Sequence, residues 1–195
     1  MNRLMRLIVL DGLDAAGKDT HARLIKKRYS KNGEKVLIRS HPCSDSLFGT
    51  KAEKALRGEG KYDRTKATFY FTFDVINSFL KVDKSIDTLI FVRYLCSVAY
   101  LPEPLVGKSY KLLSTLFPTS SYMFFLDVEP DDALERLNDR EKKQIFENKK
   151  DLKKIRRRAL SIVDEWHVID TSKPIEEAQE EIERILDSKE EGERY

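Results

Sequence analysis

The chain is poor in the residues that define several large classes of protein. Its 195 residues include two cysteines, Cys43 and Cys96, which form no metal or redox motif and are too few for a disulfide scaffold. With only 8 glycines and 6 prolines, it contains no low-complexity linker. It also lacks an apolar run of membrane-spanning length and the N-terminal pattern of a signal peptide. These absences predict a cytoplasmic protein without a membrane segment, built as one domain over residues 1–195.

Charge is abundant but nearly balanced. Charged residues make up 35% of the chain, yet the net charge is only +3, which predicts no general affinity for nucleic acid. Basic residues dominate between Arg136 and Arg158, and acidic residues dominate from Glu176 onward. Two interpretations of the basic block stay open, a solvated helix face or a surface that closes over a polyphosphate.

Apolar, β-rich runs alternate with longer helical patterns along the chain. The strand candidates are residues 6–10, 35–39, 88–94, 122–128 and 167–171, and the helix candidates are residues 18–31, 47–56, 65–82, 133–140, 151–163 and 175–186. Residues 95–117 are expected to be partly helical, with Pro102 and Pro104 as interruptions. This alternation predicts an α/β fold with a parallel five-stranded sheet and helices on both faces. Ligands of such sheets bind beyond the carboxyl ends of the strands.

The most informative motif follows the first predicted strand. The segment Gly12-Leu-Asp-Ala-Ala-Gly-Lys-Asp-Thr20 has the Gly-x4-Gly-Lys spacing of a phosphate-binding loop, between a strand and a helix. Gly12 and Gly17 let backbone N–H groups turn inward around a phosphate, the helix dipole adds positive charge, and Lys18 reaches the β- and γ-phosphates. The motif therefore predicts nucleotide binding. Asp19 departs from it, because a Ser or Thr usually supplies a hydroxyl to Mg²⁺ at this position.

Five further segments follow the loop in order. They are Arg39-Ser-His-Pro42 with Gly49, Phe69-Tyr-Phe-Thr-Phe-Asp74, Arg93-Tyr94 with Ser97 and Ala99-Tyr100, Phe125-Leu-Asp-Val-Glu-Pro130 with Ala133-Leu-Glu-Arg136, and Val168-Ile-Asp-Thr-Ser172. Together with the loop, their order and spacing resemble the thymidylate kinases, a family of P-loop nucleoside monophosphate kinases, from about Leu7 to Leu186. The resemblance implies a three-layer P-loop fold with a short lid near residues 140–150. It also implies ATP and Mg²⁺ as cofactors, dTMP as the acceptor, and a homodimer.

On this resemblance, the donor side of the reaction belongs to the loop and to the helix before the lid. Phosphoryl transfer needs alignment and charge neutralisation rather than covalent chemistry from the protein. The implied ATP-binding residues are Gly12, Leu13, Asp14, Ala15, Ala16, Gly17, Lys18, Asp19, Thr20 and Arg136. Ala15 and Ala16 leave no cation inside the loop, so a catalytic cation is expected from the lid region. Arg136, Arg140 and Lys143 are best placed, and Arg140 is taken as catalytic together with Lys18 and Arg93.

The resemblance also implies an acceptor site. Its residues are Asp14, Arg39, Phe71, Arg93, Ser97 and Tyr100. Phe71 would stack on the thymine, Asp14 would face the sugar, and Arg93 would touch the transferring or the acceptor phosphate. Ordinary structural roles compete with these assignments: core packing for Phe71 and Tyr100, loop stabilisation for Asp14, and an exposed strand end for Arg93.

Three residues depart from the family's pattern. Asp19 replaces the metal-binding hydroxyl, Val92 replaces the Asp of Asp-Arg-Tyr, and Val75 replaces an Arg that grips the acceptor phosphate. The first two departures balance in charge, so Asp19 is predicted to bind Mg²⁺, directly or through water, with Thr20 assisting. Losing the cation at position 75 would cost about 1.5–3 kcal/mol if nothing replaces it. Either Arg39 or a lid residue substitutes for it, or the acceptor is not dTMP but another nucleotide or polyphosphate.

Two other functions stay open at this point. The segment Asp14-Ala-Ala-Gly-Lys-Asp19 also resembles the loop of P-loop polyphosphate kinases, although their other segments are absent from the sequence. The valines at positions 75 and 92 are also what a loss of catalysis would leave in a nucleotide-binding regulator. Turnover with any acceptor would exclude the regulator, and the identity of the acceptor would separate the two kinases.

Overall fold

In the part of the chain that the structure describes, five parallel strands form one sheet. The structure, a computed structural model, describes residues 5–56, 61–138 and 149–192. The strands are β1 (Arg6–Gly12), β2 (Val36–Ser40), β3 (Thr88–Val92), β4 (Met123–Asp127) and β5 (His167–Asp170), in the spatial order β2-β3-β1-β4-β5. Every neighbouring pair runs parallel. The predicted parallel five-stranded sheet is therefore confirmed.

Helices connect the strands within the described residues. They are α1 (Lys18–Lys31), α2 (Leu47–Leu56), α3 (Lys61–Leu80), a 3₁₀ helix (Leu95–Tyr100), α4 (Glu103–Leu116), α5 (Pro130–Asn138), α6 (Lys149–Leu160) and α7 (Ile175–Gly192). Pro102 precedes α4 as expected, but the expected interruption at Pro104 is wrong. Pro104 lies in the first turn of α4, where its missing N–H leaves no helical hydrogen bond unmade. None of these described helices is long and apolar enough to cross a membrane.

The central strands are covered on both faces. All five residues of β3 are buried, and so are the five inner residues of β1. Because successive side chains of a strand point to opposite faces, helices must cover both sides of the sheet. On one side α1 contacts β1, β2 and β3 and packs against α7, whereas α4 and α6 contact the 3₁₀ helix. The three-layer α/β arrangement expected of a P-loop fold is present.

The register of the sheet brings three loops to one edge. Leu10 of β1 lies beside Val92 of β3 and Phe124 of β4, and Val92 lies beside Ser40 of β2. The glycine-rich loop after β1, the segment after β3 and the loop after β2 therefore leave the sheet next to one another. This carboxyl edge is where the sequence predicted the ligand site.

Candidate active site

Two glycines shape the loop between β1 and α1. Gly12 has a φ of 145°, and a Cβ there would overlap the carbonyl oxygen of Leu126 in β4. Gly17 has a φ of 78° and caps α1 without a side-chain hydrogen bond, so no side chain competes for the N–H groups at the start of α1. Ala15 has a φ of 63°, a conformation that residues with a Cβ rarely adopt and that is found at ligand-binding loops. The backbone thus has the form expected of a phosphate-binding loop.

Lys18 is buried under this loop. Its Nζ donates a hydrogen bond to the Gly12 carbonyl oxygen at 2.9 Å and another to the Leu13 carbonyl oxygen. Burial and, after it, the charge of Arg93 lower the pKa of Lys18 to about 8, against the opposing effect of nearby carboxylates. An anion in the loop would favour the charged amine, so Lys18 is poised to exchange carbonyl partners for phosphate oxygens.

Asp11 joins the loop to the segment after β3. Its Oδ2 accepts the backbone N–H groups of Tyr94 at 2.8 Å and Cys96 at 2.9 Å. Burial raises the pKa of Asp11, although these hydrogen bonds and the charge of Lys18 oppose the rise. Sequence analysis missed Asp11, but its place directly before Gly12, at the carboxyl end of β1, was a usable signal.

A cavity of about 380 Å³ opens beside the loop, between the carboxyl ends of β1, β2 and β3. Five of the six predicted acceptor residues line it, namely Asp14, Phe71, Arg93, Ser97 and Tyr100. The cavity is also lined by residues to which sequence analysis gave no role: Asp11, Ser40, His41, Pro42, Ser44, Glu53, Leu56, Ala67 and Thr68. Glu53 and Thr68 project from α2 and α3, where no local motif marks them.

Arg93 stands between the loop and the cavity. Its guanidinium lies 3.4 Å from Asp14 Oδ1 and 3.8 Å from Asp19 Oδ2, while the Tyr100 hydroxyl donates to Asp14 Oδ2 at 3.3 Å. Burial alone would raise the pKa of Asp14, but the charges of Lys18 and Arg93 lower it below its usual value. Arg93 also has a φ of 62°, which is costly for a residue with a side chain and is found where function requires it. The competing interpretation of Arg93 as a merely exposed strand end does not fit this geometry.

Asp19 points away from the core at the start of α1. Its side chain is 51% exposed, and its Oδ1 accepts a hydrogen bond from the Ser40 hydroxyl at 3.0 Å. Thr20 is exposed beside it. The carboxylate and hydroxyl oxygens of Asp19, Thr20 and Ser40 are ligands of the kind that Mg²⁺ prefers, and their exposure suits an ion that keeps several waters.

Phe71 and His41 form an aromatic wall of the cavity. Phe71 is buried, and its ring centroid lies 5.9 Å from that of His41 in an edge-to-face arrangement. Burial lowers the pKa of His41 to about 4, so its ring is neutral near pH 7. Ser97 lies on the other side, where its hydroxyl donates to the Tyr94 carbonyl at 3.1 Å. The two rings give this wall the aromatic surface that a nucleobase can pack against.

The structure does not bring Arg39 to the cavity. Its guanidinium pairs with the exposed Asp45 at 2.7 Å, and Arg39 is not among the described residues that line the cavity. Val75 and Val92 are buried in the core and also do not line it. Arg93 is the one cation among the described lining residues.

Arg136 connects the loop to the end of β5. Its guanidinium donates to the Ala15 carbonyl at 3.3 Å and to the Thr171 carbonyl at 2.9 Å. Arg136 therefore borders the glycine-rich loop on the side away from the cavity, as an ATP-binding residue would. Arg140, Lys143 and nearly all of the lid expected near 140–150 lie outside the described residues, which resume at Lys149.

Comparison with known proteins supports this interpretation. The family model described as thymidylate kinase matches residues 10–182. A protein of Archaeoglobus fulgidus named probable thymidylate kinase is 32% identical, over 93% of this chain and 95% of its own, and one of Methanocaldococcus jannaschii with the same name is 29% identical, over 90% and 92%. In fold, the chain resembles the thymidylate kinase of Candida albicans, with a TM-score of 0.75 at 16% identity over 95% of this chain and 92% of that one. The chain belongs to the thymidylate kinase family.

Proposed function

We propose that the protein transfers the γ-phosphoryl group of ATP to dTMP and so forms dTDP. The observation that carries this proposal is the position of Arg93, which contacts Asp14 of the phosphate-binding loop and also lines the neighbouring cavity. A donor phosphate in the loop and an acceptor phosphate in the cavity would meet at this guanidinium. The cytoplasm stays the predicted location of this reaction.

On the donor side, the loop and Lys18 would hold the phosphates of ATP. The amine of Lys18 would exchange the Gly12 and Leu13 carbonyls for phosphate oxygens. The negative charge of the phosphates would stabilise the protonated amine. Arg136 would lie beside the adenosine, since it spans the loop and the end of β5. Lys18 would thus neutralise charge on the group in transfer.

On the acceptor side, the cavity would take the thymidine. Phe71 would stack on the base, and Asp14, already bound by the Tyr100 hydroxyl, would accept a hydrogen bond from the sugar. The phosphate of dTMP is ionised at neutral pH, so its oxygen can attack the γ-phosphorus without a general base. A partly enclosed cavity with an aromatic wall favours a nucleoside over a polyphosphate chain, for which a long basic groove would be expected.

Asp19 and Thr20 would hold Mg²⁺, with Ser40 supporting Asp19 through its hydroxyl. Bound to these oxygens, Mg²⁺ would neutralise charge on the donor phosphates. Asp19 also contributes to the electrostatic environment of Arg93 in the free protein. The carboxylate at position 19 would thus compensate for the uncharged Val92.

A homodimer is the proposed assembly. One stripe along α3 carries four exposed apolar residues, Phe69, Phe73, Ile76 and Leu80. Phe48 of α2 stacks on Phe73, with the ring centroids 5.4 Å apart. An apolar stripe of this length on an otherwise charged protein fits contact with a second copy. Light scattering should report twice the chain mass for the wild type and a shift to monomer for Phe73→Lys. Leu112→Lys, which changes an exposed leucine of α4, should leave the mass unchanged, and a monomeric wild type would contradict the proposal.

The test of the function is direct detection of nucleotide products. The protein is incubated with ATP, Mg²⁺ and a panel of acceptors: dTMP, dUMP, the other nucleoside monophosphates and polyphosphate. We expect dTDP as the main product, and its loss in Lys18→Ala. Turnover only with another acceptor would contradict the substrate assignment, and ATP binding without any turnover would favour a regulator.

A further inference from the structure

Three side chains of metal-ligating type lie together beside the cavity. His41 and Cys43 belong to the loop after β2, and Asp74 belongs to α3. All three are buried, and one donor atom from each lies within 4.8 Å of the donor atoms of the other two. Neither Cys43 nor Asp74 lines the cavity, so the proposed phosphoryl transfer gives these two residues no task.

One carboxylate oxygen of Asp74 has no hydrogen-bond partner among the described residues. Its side chain is fully buried, and its Oδ2 accepts the backbone N–H of Cys43 at 2.6 Å. Its Oδ1 is buried too and makes no hydrogen bond with any described residue. A buried carboxylate oxygen without a partner is costly, and a cation bound to it would offset that cost.

The hydrogen bonds of His41 leave the lone pair of its Nε2 facing the cluster. Its Nδ1 lies 3.0 Å from the carbonyl oxygen of Arg93, which can only accept, so Nδ1 carries the proton. In the neutral ring the lone pair is then on Nε2, which faces the Ser78 hydroxyl at 2.9 Å. The Cys43 sulfur lies 3.6 Å from that hydroxyl oxygen. Ser78 therefore stands next to both the imidazole nitrogen and the thiol.

We propose that His41, Cys43 and Asp74 bind one thiophilic divalent cation of the Zn²⁺ type, with the Ser78 hydroxyl oxygen as the fourth donor. Imidazole, thiolate and carboxylate are the three ligand types of protein zinc sites, whereas Mg²⁺ takes oxygen ligands. Binding releases the thiol proton of Cys43 to solvent. The thiolate and the carboxylate then balance the two positive charges of the ion, and the Arg39 guanidinium, 3.5 Å from the Ser78 hydroxyl, keeps its ion pair with Asp45.

The metal site would fasten two walls of the cavity to each other. His41 stands in the wall formed by the loop after β2, and Asp74 lies one turn of α3 beyond Phe71. A cation held by both would fix the distance between the base-facing ring of Phe71 and the loop. The bound cation would therefore stabilise the acceptor region. It would be a different ion from the Mg²⁺ that accompanies ATP.

Cobalt titration of the whole protein tests this site. The protein is treated with a chelator, dialysed, and titrated with Co²⁺ in excess Mg²⁺ and without nucleotide. We expect one equivalent of Co²⁺ to bind with a thiolate-to-cobalt charge-transfer band, and Zn²⁺ to remove the band by displacement and to raise Tm. A titration without that band would overturn the proposal.

The two cysteines of the chain supply a matched pair of variants. Cys43→Ser should abolish the band, whereas Cys96→Ser, which changes the other buried thiol, should keep it. Asp74→Asn, which keeps the size of the side chain, should weaken Co²⁺ binding by at least about tenfold while circular dichroism stays that of the wild type. A band that survives in Cys43→Ser, or an unchanged affinity in Asp74→Asn, would contradict the site whether or not the protein phosphorylates dTMP.

Discussion

The donor and acceptor sides of the candidate site are held in place by different means. On the donor side the loop depends on its own backbone, with Gly12 and Gly17 in conformations that favour glycine and Lys18 bound to two loop carbonyls. On the acceptor side the geometry depends on contacts between distant segments, such as Asp11 with the amides after β3 and Asp14 with Arg93. The phosphate-binding loop is thus a local property of the sequence, whereas the acceptor side exists only in the folded protein.

The largest effect is expected from returning the family's arginine to the acceptor side. Val75 is buried in the core, so Val75→Arg would bury a charge without a partner and should lower the free energy of unfolding by about 3–5 kcal/mol. Denaturant unfolding without nucleotide measures this change. Thr72→Arg, three residues earlier and half-buried, should cost much less because its guanidinium can reach water. A stable Val75→Arg protein with tighter dTMP binding would show that the cavity extends to position 75.

Lys18→Ala should damage the donor side most. Removing a preorganised donor to the transferring phosphoryl group should lower kcat by roughly 10²–10³-fold. Lys26→Ala, an exposed lysine of the same helix, is the control and should retain wild-type rates. Rates of dTDP formation that do not differ between these two variants would refute the assignment of Lys18.

Arg93→Met tests the point at which the two sides meet. Losing its charged hydrogen bonds should cost about 1.5–3 kcal/mol, or roughly 10–150-fold in kcat/KM. Arg157→Met, which breaks an exposed ion pair with Glu103, should leave kcat/KM unchanged. If Arg93→Met altered only the binding of ATP and not that of dTMP, the guanidinium would belong to the donor side alone.

The sequence predicted the strand, the glycine-rich loop and the helix of the donor side because their determinants are local. Glycine spacing, the strand before the loop and the helix after it are all visible within fifteen residues, and the structure has β1, the loop and α1 there. The alternation of strands and helices likewise predicted the parallel sheet. The role of Lys18 in phosphate binding stays a prediction, now with a specific geometry.

The acceptor side was less predictable because chain neighbours do not determine it. Arg39 looked suitable from its place at the end of a strand, but in the structure it pairs with Asp45. Glu53 and Thr68 reach the cavity only because α2 and α3 pack together. Hydrophobic periodicity in the sequence indicates which face of a helix is buried. It does not indicate which residue of that face borders a cavity.

Asp19→Ala should weaken the dependence of nucleotide binding on Mg²⁺. Because Asp19 is half exposed, we expect a loss of only roughly tenfold in apparent Mg²⁺ affinity. Titration of Mg²⁺ against a fluorescent ADP analogue measures this without turnover, and Asp19→Ser would test whether the usual hydroxyl serves instead. Asp45→Ala, an exposed carboxylate outside the cavity, is the control. An unchanged Mg²⁺ dependence in Asp19→Ala would remove Asp19 from the metal site.

The smallest predicted effect is a proton taken up when ATP binds. In the free protein the pKa of Lys18 is lowered to about 8, so the folded protein loses this proton as the pH rises through that value. Bound phosphates raise the pKa again, so binding of the Mg²⁺ complex of ATP near pH 8 should take up a fraction of a proton, and the uptake should shrink as the pH falls toward 6.5. Calorimetry in buffers of different ionisation enthalpy detects the uptake. Adenosine, which has no phosphates, should give none, and equal uptake with adenosine would show that another group titrates.

The central claim is that the two sides form one site for phosphoryl transfer. A ligand that joins adenosine to thymidine through a chain of phosphates tests it most directly, because it must occupy the loop and the cavity together. We expect it to bind more tightly than ATP or dTMP alone, and to lose affinity in both Lys18→Ala and Phe71→Ala. Binding no tighter than that of ATP, and unaffected by Phe71→Ala, would contradict a shared site.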